Sequence, residues 1–173
     1  RDAADEHGLA QLAWHATAAK KTQLAEEAWL ELAARATTRH AYTDAERLFS
    51  RALDLPGGLP GEQDPAALSP SREGARRGRG LMRYRIGRYH DAIEDFEAAR
   101  RTASARGDAA VAVEILLDEA IALDWMYQYK TSEERVQKAE ALIAQVASVP
   151  LRARLLLGQG RSLHRFSREE EAA

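Results

Sequence analysis

The stretch Glu26–Leu55, EEAWLELAARATTRHAYTDAERLFSRALDL, carries two apolar stripes separated by a short polar break. Ala28, Trp29, Leu32, Ala33 and Ala36 recur at steps of three and four, the spacing that lines one face of a helix. Beyond the break, Ala45, Leu48, Phe49, Ala52 and Leu53 repeat the pattern. With Ala25 in phase upstream, the stripes predict helices over Gln23–Thr38 and Thr43–Leu55. Two amphipathic helices joined by so few residues fold back on each other as a hairpin. The alanines let the two backbones approach closely.

The same period extends outward in both directions. Upstream, Leu9, Leu12, Ala13, Ala16 and Ala19 predict a leading helix over 5–19. Downstream, residues 56–70, PGGLPGEQDPAALSP, hold four of the five prolines and cannot be a helix interior, so they are expected as a mobile loop. Helices are expected again at 71–86, 89–106, 108–127, 132–147 and 151–163, with a last one starting near Ser167. Gly87, Gly107 and Pro150 supply the breaks. Thr43/Glu46, Thr131/Glu134 and Ser167/Glu170 have capping-box spacing, which predicts helix starts there. Period-2 alternation is nearly absent, so no sheet is expected.

Composition agrees with this pattern. The 173 residues suffice for one sizeable domain, read here as a single repeat domain over 1–173. Apolar residues make up 45% of the chain but aromatics only 6%, so alanine, the strongest helix former, dominates the apolar count. A net charge of −2 gives no general attraction to nucleic acid or to a membrane surface. No cysteine is present, which removes disulfides, thiolate catalysis and cysteine metal sites. No apolar run reaches membrane-spanning length and no signal peptide is visible, so a cytoplasmic location is expected. The first residue is Arg1, and the chain reads as a piece of a longer protein.

The hairpin recurs. Tyr42-Thr-Asp-Ala45 aligns with Tyr89-His-Asp-Ala92; Phe49 and Phe96 follow four residues after each alanine, and Ala52 and Ala99 seven after. Tyr129, Ser132, Val136 and Ala139 form a weaker third copy, and Phe166 marks a fourth. With Trp29, Leu32 and Ala33 preceding the first copy, this pattern resembles the tetratricopeptide repeat, a helix–turn–helix unit of about 34 residues. The spacing departs from that family, with 47 residues from Ala45 to Ala92 and 40 from Ala92 to Ser132. The second interval implies longer helices. The segment from Leu12 to Leu55 also resembles the array following the ATPase of large multidomain bacterial regulators, whose neighbours are kinase, cyclase or DNA-binding domains.

The resemblance implies an all-α, right-handed α-solenoid of antiparallel helix pairs, approximately 23–55, 71–106, 108–147 and 151–173, behind the leading helix. It implies a non-catalytic scaffold that binds a protein or peptide in a concave groove lined by the first helix of each pair. On that alignment the binding residues are Arg77, Leu81, Tyr84, Arg85, Leu117, Asp124 and Trp125, with Leu30, Ala34, Thr37 and Ile121 beside them. The alternative is a sensory segment of a larger ATPase, kinase or transcriptional regulator that binds a small effector. An open channel would favour the first reading and an enclosed pocket the second.

Chemistry-bearing motifs are sparse. His7, His15, His40, His90 and His164 include no pair at i, i+3 or i, i+4 spacing, so no metal site is expected. Gly78-x-Gly80 and Gly158-x-Gly160 follow no strand and complete no nucleotide loop, and are read as packing glycines. No enzyme activity and no cofactor are expected. Seven arginines crowd Arg72–Arg88 against one acid, Glu73. The cluster reads either as a solvated helix face with arginines in neighbouring salt bridges or as an anion-recognising patch, since guanidinium forks match carboxylate and phosphate. The repeat resemblance places Arg77 and Arg85 in the groove and so implies an acidic partner. Basic charge does not extend along the other helices, so nucleic acid is not the expected partner. Trp125, Met126, Tyr127 and Tyr129 form an aromatic cluster suited to inter-repeat packing or to anchoring a partner.

Overall fold

The computed structural model describes the backbone of residues 2–56 and 70–172, and the side chains of 5–56 and 70–165. These residues form eight α-helices and no strand: α1 (Asp2–Ala18), α2 (Thr22–Thr38), α3 (Tyr42–Leu53), α4 (Pro70–Arg85), α5 (Tyr89–Ala105), α6 (Ala109–Trp125), α7 (Tyr129–Ile143) and α8 (Val149–Ala172). The expected loop at 56–70 lies, apart from its terminal prolines, outside the described residues. Among the described residues no helix is long and apolar enough to cross a membrane.

The turns repeat one construction. Lys20, His40, Gly87, Gly107 and Tyr127 have positive φ, between 56° and 81°. A helix ends two residues before each of them and the next begins two residues after. The residue following each donates its amide to the carbonyl five positions back: Lys21 to Ala16, Ala41 to Ala36, Arg88 to Arg83, Asp108 to Ala103 and Gln128 to Leu123, at 2.8–3.0 Å. This is the Schellman closure, in which a left-handed residue satisfies the last free carbonyls of a helix. Lys20 and His40 are 20 residues apart, as are Gly87 and Gly107, and Gly107 and Tyr127. The structural unit is therefore a helix plus turn of 20 residues, and two make a 40-residue hairpin. Longer helices do account for the 40-residue interval.

Five positions after each left-handed residue stand Ala25, Ala45, Ala92, Ala112 and Ser132, all buried. There the chain has just turned, and only a small side chain fits against the preceding helix. Ser132 adds a hydroxyl, which donates to the Ala120 carbonyl at 3.0 Å. Phe96 is fully buried as the repeat alignment requires. Phe49 is only half-buried: its ring lies where a Cβ on Gly78 would come within 2.6 Å, so α3 seats on a glycine of α4.

The chain divides into two compact units, Arg1–Arg88 and Tyr89–Ala173, and the boundary falls between the two helices of the expected 71–106 pair. In the first unit α1 packs on α2, α2 on α3 and α3 on α4. Its core joins Ala13, Ala16, Ala28, Trp29, Leu32 and Ala52, with a second cluster around Ala36, Ala45 and Met82. In the second unit α5 packs on α6, α6 on α7, and α8 on both α6 and α7. Val113, Leu116, Leu117, Ala120, Val136, Leu151 and Leu155 form that core.

Three sequence expectations change. Leu12 and Ala19 of the leading helix are exposed, the inward face of α1 being Ala13 and Ala16. The capping boxes do not start helices: α3 and α7 begin at Tyr42 and Tyr129 without a side-chain cap, because the preceding Schellman turn has already fixed the start. No helix begins at Ser167 either, since α8 runs unbroken from Val149 to Ala172 with nothing to interrupt it. Pro150 sits in its first turn, where a missing amide costs nothing.

Candidate functional site

The second unit holds a cavity of about 430 Å³ at one end of its helices. Ile121, Asp124 and Trp125 of α6, Tyr129 at the start of α7, and Arg161, His164 and Arg165 of α8 line it. The α6–α7 turn at Tyr127 delivers Trp125 and Tyr129 to the same rim. Trp125 is 60% exposed and stacks on Tyr89, with ring centroids 6.2 Å apart and planes 11° from parallel. Its position is thus set from behind while one face stays open.

The charges are shared unequally. Asp124 accepts from Arg161 Nε at 3.1 Å and from Arg165 Nη1. Arg165 also donates from Nε to the Arg161 carbonyl and lies 4.7 Å over the Tyr129 ring. Two guanidiniums face one carboxylate in this lining, with His164 beside them, so the cavity carries an excess of positive charge. A guanidinium has five N–H donors, more than one shared carboxylate can occupy. An incoming acidic group would meet pre-positioned donors next to an apolar wall of Ile121, Trp125 and Tyr129.

The first unit has a groove of about 490 Å³ between α1 and α3, floored by Trp29, Leu32 and Ala36 of α2. Its two carboxylates lie against two of its three arginines, and the third arginine lies on aromatic rings. Glu6 pairs with Arg39 at 2.6 Å, Arg47 lies 3.7 Å from Asp44, and Arg51 sits over Trp14 and Trp29 at 4.4 and 5.0 Å. The Arg39 hydrogen bond holds the Glu6 carboxyl below its ordinary range.

The residues expected to bind a partner fall into different surroundings. Leu117 is a correction. It is 2% exposed, because α6 is covered by α5, α7 and α8, and it packs within the core beside Val136. Asp124 and Trp125 do line a cavity. In α4, Leu81 is half-buried against the Ala36–Ala45–Met82 cluster, and Arg77 and Tyr84 are half-buried. Arg85 is exposed and lies over the rings of Tyr42 and Tyr84, at 5.9 and 5.8 Å. Much of the arginine cluster joins α4 to its neighbour: Arg83 and Arg88 grip Glu46 at 3.0 and 3.2 Å, and Arg72 donates to the Leu53 carbonyl at 2.7 Å.

The sequence alone does not single out Arg161 and Arg165, and His164 is weighed there only as a metal ligand, because a break is expected between residues 163 and 167. Their spacing of three and four was the available signal, since it places them on one face once α8 is continuous. Among the described residues no group of three or more His, Asp or Glu is placed to hold a metal ion. The chain matches no known protein-family profile, and no curated protein is detectably similar to it.

Proposed function

We propose that this protein is a non-catalytic helical-repeat scaffold, of the tetratricopeptide kind with a right-handed solenoid course, that binds a segment of another protein. The second-unit cavity receives an acidic side chain of that segment together with an apolar one. The observation that carries this reading is an exposed Trp125, fixed by Tyr89, beside two arginines that share the single carboxylate of Asp124. Tryptophan and arginine are the residues most often dominant at protein interfaces. The cavity volume suits one or two side chains. Its exposed rim favours a passing peptide over an enclosed small effector. The exposed Arg85 on the Tyr42 and Tyr84 rings offers a similar basic and aromatic contact in the first unit.

The test is selection from a random peptide library, followed by titration of the enriched peptides. Enriched sequences are expected to carry Asp or Glu within a few residues of a large apolar side chain. Trp125→Ala should weaken them by about 2 kcal/mol or more, the scale of an interface anchor. Arg161→Gln with Arg165→Gln should lower both affinity and its dependence on salt. Enrichment without acidic residues, or affinities untouched by these changes, would overturn the proposal.

A further inference from the structure

The outward face of α8 carries a second feature, separate from the cavity. Leu151, Leu155, Gly158 and Ser162 are buried against the rest of the unit. On the other side, Val149, Leu156, Leu157 and Leu163 are 80%, 67%, 66% and 69% exposed. Between them stand the exposed small residues Ala153 and Gly160. Val149, Ala153, Leu156, Gly160 and Leu163 follow one another at steps of four, three, four and three, the seam spacing of paired helices. A contiguous apolar stripe of this kind on a helix marks a contact surface.

The order of sizes along the seam identifies what covers it. Large and small residues alternate: Val149, Ala153, Leu156, Gly160, Leu163. Gly160 has no packing reason among the described residues, because a Cβ there would meet none of their atoms within 4 Å. Gly158, two residues earlier, differs: a Cβ there would lie 3.3 Å from Val136. A glycine inside a helix is unfavourable, so an open gap at Gly160 calls for something that fills it. We propose that α8 is a self-association surface, its stripe pairing antiparallel with the same stripe of a second copy of this chain.

With the two-fold axis near Gly158, Leu156 of each copy enters the gap at Gly160 of the other. Leu163 likewise faces Ala153, and the two Leu157 side chains meet beside the axis. The four central seam layers, Leu156 with Gly160 and Leu163 with Ala153 taken twice, then each join one large residue to one small one. A parallel pairing would set Leu156 on Leu156 and Gly160 on Gly160, alternating crowded and empty layers. It would also bring the two Arg152 side chains to the same end, whereas the antiparallel form separates them by about 18 Å along the axis. The seam itself contains no charge. A contact one helix wide and about 21 Å long is small among specific interfaces, so a micromolar dimer is expected.

Sedimentation velocity on the 173-residue chain, from low micromolar to a few hundred micromolar, measures the equilibrium directly. A monomer–dimer transition in that range is expected. Gly160→Leu should weaken it by roughly tenfold or more with helical circular dichroism unchanged, since a Cβ at that position meets none of the described atoms within 4 Å. Leu156→Glu should abolish it. The absence of native cysteine allows an orientation test: chains carrying Ala153→Cys and chains carrying Leu163→Cys should form a mixed disulfide when combined, and neither should cross-link alone. A chain that stays monomeric throughout overturns the proposal and leaves the stripe to a different protein. Dimerisation indifferent to both Gly160→Leu and Leu156→Glu overturns it as well, and self-cross-linking of the Ala153→Cys chain overturns the antiparallel order.

Discussion

At the scale of single residues, the left-handed turn positions matter most. Gly87 and Gly107 occupy them without strain, but Lys20, His40 and Tyr127 carry a Cβ that crowds the following carbonyl. A left-handed conformation costs an ordinary residue about 1–2 kcal/mol, and glycine gives back about 0.4–1 kcal/mol through its freer unfolded chain. Lys20→Gly is therefore expected to stabilise the protein by about 0.5–1 kcal/mol. His40 is a less clean test, because its ring nitrogen lies 2.9 Å from the Tyr42 hydroxyl. The reverse change, Gly107→Ala, should destabilise by a similar amount, about 0.5–1 kcal/mol. Chemical denaturation of both variants checks the signs. A loss in the first case or a gain in the second would show that the turns are not under the strain their φ angles imply.

At the scale of helices, sequence periodicity located nearly every element but misplaced what joins them. The stripe Ala25–Ala36 was legible because burial on one face alone dictates it. Leu117 was not, since α6 is buried on almost every side and carries no one-sided pattern. Thr43 and Thr131 misled because a Schellman turn sets the helix start before any hydroxyl can act. The 20-residue step was hidden by its chemical variety: a lysine, a histidine, two glycines and a tyrosine fill the same position. That step exposes a correspondence between the units. Glu119 of α6, fully buried, accepts from Arg100 of α5 at 2.7 Å and from Arg135 of α7 at 2.5 Å. Counted from their turns, these three occupy the places of Leu32, Ala13 and Leu48, a hydrophobic contact in the first unit. Burial pushes the Glu119 carboxyl above its ordinary value, against the pull of both arginines. Replacing a buried ion triad by packed apolar groups is commonly neutral or stabilising by about 1–4 kcal/mol, whereas removing one member costs about 3–5 kcal/mol. Grafting Arg100→Ala, Glu119→Leu and Arg135→Leu together should therefore leave stability equal or higher at neutral pH, and Glu119→Ala alone should lower it sharply. The wild type binds the Glu119 proton more tightly folded than unfolded, so its stability rises as pH falls through the raised value. The advantage of the graft should shrink correspondingly toward acid. A graft less stable than Glu119→Ala would refute the correspondence.

At the scale of the whole chain, the division into Arg1–Arg88 and Tyr89–Ala173 makes a prediction about cooperativity. In helical repeats each element is stabilised mainly by its neighbours, so a group of adjacent helices can fold by itself when it encloses enough apolar surface. The second unit meets that condition with about 85 residues. Its core of Val113, Leu116, Leu117, Val136, Leu151 and Leu155 lies within α6, α7 and α8. The Arg100–Glu119–Arg135 triad binds α5 to α6 and α7, and Arg154 to Asp118 at 2.6 Å binds α8 to α6. Residues 89–173 produced alone should give a helical circular dichroism spectrum and a single sigmoidal urea transition. A stability of order 5 kcal/mol is expected, the ordinary range for a chain of this length. Breaking the α8 contact with Asp118→Leu should shift that transition to lower urea. A fragment that is unfolded, or that melts gradually without a transition, would mean that its internal contacts are insufficient and that the second unit depends on residues outside it.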